Sequence, residues 1–143
     1  MAFPEEIVIG DTLNIDFTFI DKVTKLPVDI TDWILYITIK SSIEMTDQNP
    51  RTVQVKYDLS VADPLALMYT NLIPTSGKVR LRISPERTKL LTLGKVYWDL
   101  QRVTPIYDSG GFLKDHDVIT LEKRTSLVVY EVTKTYLQGV LVP

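Results

Sequence analysis

The stretch GKVRLRISPERTKLLTLGKVYWDLQRV, Gly77 to Val103, decides the fold. Val79, Leu81 and Ile83 alternate with Lys78, Arg80 and Arg82, the period-two pattern of a strand with one buried and one wet face. Ser84 then offers a side-chain oxygen to the free amides of a helix start, and Pro85 takes the first helical position, where its missing N–H is no loss. The helix is brief. Leu90, Leu91 and Leu93 are placed to drop onto a core, Gly94 stops the segment, and Val96, Trp98 and Leu100 alternate against Tyr97, Asp99 and Gln101. The pattern predicts strand, one helical turn and strand, with Val79, Leu81, Ile83, Val96, Trp98 and Leu100 in the core.

Working outward, Thr12 to Ile20 is a second half-buried strand, with Leu13, Ile15, Phe17 and Phe19 on one face. Asp21 to Pro27 reads as a turn, after which Val28 and Ile30 pack as the chain returns, among the turn formers Asp29, Thr31 and Asp32. Trp33 to Lys40 is apolar on both faces and predicts a central strand. Ser41 to Arg51 is a polar loop, and Thr52 to Asp58 alternates again as a hairpin partner. Val61 to Thr75 holds Asp63-Pro64, a cap and first helical position, and reads as a helical turn or an apolar loop. Ile7 to Ile9 predicts an edge strand or docking arm closed by Gly10 and Asp11. Thr104 to Asp115 reads as a long connection, rich in turn residues at Pro105, Asp108, Ser109, Gly110 and Gly111. Val118 to Leu121 and Ser126 to Val132 predict two closing strands with Lys123 and Arg124 between them.

Some seven or eight short strands with one helix point to an all-β antiparallel sandwich, with a small barrel as the other arrangement; an immunoglobulin-like resemblance would be one of topology and packing, since the antibody-domain disulfide is impossible here. Residues 1–143 read as one domain, with a core over about 8–133 and an apolar tail over 134–143. The chain has no cysteine, which removes disulfides, thiolate nucleophiles and zinc–thiolate sites. A net charge of −2 argues against a nucleic-acid partner, because such affinity comes from a basic excess. No apolar run approaches the ~20 residues that span a bilayer, and Glu5 and Glu6 stand where a secretory signal carries basic residues. The chain is therefore expected to be non-exported and to need no membrane.

No residue set suggests a reaction, and no cofactor or metal is expected. Asp115-His116-Asp117 is the one clustering of histidine with carboxylates, but consecutive strand residues alternate faces, so at most two reach one ion. Asp29, Asp32 and Asp99 form a conceivable carboxylate set for glycoside hydrolysis, yet turn formation accounts for the first two. Gly110-Gly111 lacks the strand-to-helix context of a phosphate loop, and Gly-x-Ser-x-Gly is absent. Trp33 and Trp98 can be read as a stacking platform, although the parity of Trp98 favours the core. Lys78, Arg80 and Arg82 form a basic stripe that reads as a solvated face or as a contact for an acidic neighbour. The remaining partner-contact candidates are the edge Ile7, Val8 and Ile9 and the apolar tail residues Leu137, Val140, Leu141 and Val142.

The order of four segments, GDTLNIDFTF, KLPVDITDWILYITIK, SGKVRLRISPERTKLLTLGKVYWDLQRV and VITLEKRTSLVVYEVT, resembles the immunoglobulin-like β-sandwich of tailed-phage virion proteins. The N-terminal domain of phage baseplate upper proteins is the best-known relative. Leu26-Pro27-Val28-Asp29-Ile30-Thr31 matches its Pro-Val-Asp-Leu-Thr turn. Ser84 to Thr88, Gly94 and Tyr97-Trp98-Asp99-Leu100 match its short helix, glycine and aromatic-aromatic-Asp-Leu strand. The resemblance covers roughly residues 8 to 133 and implies a non-enzymatic structural component of the phage particle, in the tail, the baseplate or associated with the head. It also implies other virion proteins as partners, several symmetric copies, and assembly in the bacterial cytoplasm. A second reading is a carbohydrate-binding sandwich for host-surface glycans, with Tyr69, Tyr107 and Phe112 as loop aromatics.

Overall fold

The computed structural model describes residues 4–130. Eight strands follow in chain order: β1 (Glu6–Val8), β2 (Leu13–Thr18), β3 (Ile34–Lys40), β4 (Val53–Asp58), β5 (Tyr69–Ile73), β6 (Lys78–Ile83), β7 (Gly94–Tyr107) and β8 (Leu113–Val129). A 3-10 turn at Pro74–Ser76 precedes β6, and one helical turn, α1 (Pro85–Thr88), joins β6 to β7. The strands form a five-stranded sheet, β1-β8-β7-β3-β4, and a three-stranded sheet, β2-β6-β5. The protein is an all-β sandwich. With β2, β6 and β5 in the places of strands B, E and D, and β4, β3, β7 and β8 in those of C′, C, F and G, the order is immunoglobulin-like.

Period two selects the core. Leu35, Ile37 and Ile39 of β3, Val53, Val55 and Tyr57 of β4, and Val96, Trp98 and Leu100 of β7 meet Ile15 and Phe17 of β2 and Val79, Leu81 and Ile83 of β6 in one buried cluster. The core positions assigned in Gly77–Val103 are all buried. Two buried polar groups are satisfied within it. The Tyr57 hydroxyl donates to the Arg82 carbonyl at 2.8 Å, and Trp98 Nε1 donates to Ser126 Oγ at 3.0 Å.

Several expectations are corrected. The sheet is not wholly antiparallel, since β1 pairs parallel with β8. Its successor β2 lies in the opposite sheet, and Gly10, at φ 82°, turns the chain from one layer to the other. Ser84 caps α1 without its side chain; its carbonyl accepts from Arg87 and Thr88 N–H instead. The hidden fastener there is Thr88, whose hydroxyl accepts from Gly10 N–H and donates to the Asp11 carbonyl. Leu91 is buried and Leu90 packs against the core, whereas Leu93 is exposed. Residues 61–75 hold no α-helical turn. Asp63 caps a loop, and the chain then enters β5, the edge of the smaller sheet.

Thr104 to Asp115 is no open connection either. β7 runs to Tyr107 and β8 resumes at Leu113, leaving 108–112 as the turn. The two closing strands are one, continuous through Lys123 and Arg124, with a register shift where Leu100 faces Glu122 and Gln101 faces Thr120.

Candidate functional site

Two long strands build the feature that the sandwich does not consume. β3 covers β7 only as far as Val103, and β1 covers β8 only from Leu127 to Val129. Beyond Val103 the pair β7–β8 continues by itself through Thr104↔Asp117, Pro105↔His116, Ile106↔Asp115 and Tyr107↔Leu113. At about 3.3 Å per residue this hairpin reaches roughly 13 Å past the sheet before its turn.

The turn is fixed by one carboxylate. Asp108 Oδ1 accepts from Gly110 N–H at 2.9 Å and Phe112 N–H at 3.0 Å, while Asp108 N–H donates to the Phe112 carbonyl at 2.8 Å. Gly111 at φ 82° supplies the left-handed residue that closes it. Facing residues share a side of the ribbon. One side carries Val103 with Val118, Pro105 with His116, and Tyr107 with Leu113; the other carries Arg102 with Ile119, Thr104 with Asp117, and Ile106 with Asp115. Tyr107 is 60% exposed, Leu113 56%, Val118 56% and Phe112 74%. A two-stranded ribbon with an apolar side in water gains little stability of its own. Such a side is suited to bury against another surface.

A second apolar display lies at the edge of the smaller sheet. Asp63 Oδ2 accepts from Met68 and Tyr69 N–H at 2.8 and 3.1 Å, and Arg82 donates to the Leu67 carbonyl at 2.9 Å. These bonds hold Asp63 below the usual carboxylate range, the Met68 and Tyr69 amides being the main cause. They fix a loop in which Ala66 has φ 52° and Leu65 and Leu67 stand exposed.

The structure separates the predicted contact residues. Ile7 lies in the core, Ile9 packs against it, and Val8 is half-buried; β1 is nonetheless the sheet edge expected of it. Lys78, Arg80 and Arg82 do point outward from β6. Arg80, however, is held bidentately by Asp16 at 2.7 and 3.1 Å, and Arg82 fastens the Asp63 loop. That leaves Lys78 without such a task on the stripe. Leu137, Val140, Leu141 and Val142 lie outside the described residues.

Of the loop aromatics, Tyr69 is buried, so only Tyr107 and Phe112 are presented, at the hairpin end. Trp98 is core, and Trp33 packs on Phe19 at 5.3 Å between ring centres while Arg102 covers it at 4.1 Å. Asp115 and Asp117 share one side of the ribbon and His116 takes the other. Among the described residues no group of three or more His, Asp or Glu could hold a metal ion. Asp29 is occupied by Thr31 in its turn, and Asp99 lies on the outer face of the larger sheet. Sequence reading missed the ribbon because Pro105 and the Asp108–Gly111 turn formers mark a loop. The surviving signal was the apolar spacing of Val103, Pro105 and Tyr107. No protein-family model matches the chain, and no curated protein matches it.

Proposed function

We propose that this protein is a non-enzymatic structural component of a tailed bacteriophage particle, acting through contacts with other virion proteins. The projecting β7–β8 hairpin carries the assembly half of this reading: it sets Val118, Tyr107 and Leu113, all exposed, on one side of a ribbon that the described residues of the sandwich leave uncovered. The phage half rests on the order of the four sequence segments and on the turn, helix and aromatic-Asp-Leu motifs within them. In this reading the sandwich is a rigid mount. The ribbon and the Asp63 loop are its contacts, and repetition of the chain in a symmetric particle turns modest contacts into firm attachment.

The test removes the ribbon and keeps the mount. Val103 faces Val118, so residues 104–117 can be replaced by Asn-Gly, a two-residue hairpin turn. The shortened chain is expected to unfold as cooperatively as the parent and to be lost from particles assembled in its presence. Incorporation at the parental level would reject the ribbon as the contact.

A further inference from the structure

The outer face of the larger sheet holds a cleft of about 490 Å³, within the range of small-ligand sites. Its floor is two cross-strand rows. Thr38, Asp99 and Lys123 are aligned across β3, β7 and β8, and beside them run Lys40, Tyr97 and Thr125. Ile43, 74% exposed, stands over one side from the loop after β3. These groups play no part in the sandwich core or in the ribbon.

The charges select the ligand. Three cations line it: Lys40 is paired with Asp47 at 2.7 Å, Arg124 with Glu122 at 3.0 Å, and Lys123 lies beside Asp99 in the same cross-strand row. Burial raises the Asp99 carboxyl above its ordinary value, with Lys40 and Lys123 opposing. A cation entering the cleft meets two ammonium groups and a guanidinium, and an anion meets the Asp99 carboxylate and cations already paired with acids. A neutral ligand whose hydroxyls both donate and accept suits both. Asp99 lines the cleft, and its Oδ1 is covered and has no hydrogen-bond partner among the described residues, a costly condition for a carboxylate oxygen. A hydroxyl donated to this carboxyl group from the cleft would offset part of that cost. The Tyr97 ring, with Lys95 at 5.3 Å from its centre, and Ile43 supply apolar surface for the C–H face of a sugar ring.

We infer that this cleft is a binding site for a single neutral saccharide unit, with Asp99 accepting from its hydroxyls, Lys123 donating to them, and Tyr97 packing on the ring. The site is separate from the hairpin end and does not depend on the assembly reading.

The full chain, isotopically labelled, would be titrated by NMR with glucose, galactose, rhamnose and N-acetylglucosamine. At least one is expected to saturate with Kd about 1–10 mM, the affinity of so small a ligand. Its shift changes should centre on Thr38, Tyr97, Asp99 and Lys123. Asp99→Leu and Lys123→Ala are each expected to weaken binding by about tenfold or more. Three results would overturn the inference: no saturation by any of the four sugars, shifts centred on Tyr107 and Phe112, or affinity unchanged in both variants. Should Asp99→Leu fail to fold, the shift map of the parent chain and Lys123→Ala still decide.

Discussion

Gly77, at the head of the stretch that organises this chain, is constrained twice over. Its φ of 73° lies in the left-handed region, and a Cβ there would stand 2.5 Å from the Phe19 carbonyl oxygen and 2.9 Å from that of Val28. Both obstacles are backbone, so neither gives way cheaply. Gly77→Ala is therefore expected to destabilise the protein by roughly 2–4 kcal/mol, read by urea denaturation. Tyr57 makes a second claim at this scale. Burial pushes its hydroxyl well above the ordinary tyrosine range, with Arg87 and Arg82 opposing only in part. Because the folded value is raised, the stabilisation is complete below the unfolded value of about 10 and is lost as pH rises past it. Stability measured from about pH 9 to about pH 11 should fall, and Tyr57→Phe should flatten that fall while costing about 1–2 kcal/mol at neutral pH through loss of the bond to the Arg82 carbonyl. An equally steep fall in the variant would assign the effect to another group.

Among the elements, the strands that pack on both sheets were legible and those serving a surface were not. β2, β4 and β6 announce themselves because one buried face imposes alternation, β3 because it is apolar on both faces, and each appears within a residue or two of its expected bounds. β5 was hidden because its expected helical start, Asp63-Pro64, is a real capping signal used on a loop. The far half of β7 was hidden by Pro105. A proline is tolerated there because β7 has one neighbouring strand at that point rather than two. The fastening role of Thr88 was not readable, since its hydroxyl binds residues 77 and 78 positions away. The Asp63 loop makes its own prediction. Asp63→Ala should abolish protection of the Met68 and Tyr69 amides in hydrogen exchange while leaving that of β6 unchanged. In the parent chain the lowered Asp63 value means that this ordering persists above the ordinary aspartate value of about 4 and is lost as pH falls through the lower folded one. Protection unchanged in the variant would show that Arg82 alone holds the loop.

At the scale of the whole molecule, the two layers bury a continuous core and leave the ribbon, the Asp63 loop and the outer-face cleft outside it. The sandwich could be anticipated from periodicity because burial writes itself into alternation. The ribbon could not, because an exposed apolar side has the same alternation as a buried one, and only the strand pairing tells them apart. The cleft required the register that sets Thr38, Asp99 and Lys123 side by side from three distant segments. The proposed role makes this protein an integral part of a phage particle, and quantitative mass spectrometry of purified, nuclease-treated particles from cells producing it is the decisive measurement. The chain is expected in the particle peak at a fixed ratio to the other virion proteins, as symmetric copies require. Absence from that peak, with the chain present in the surrounding lysate, would overturn the role.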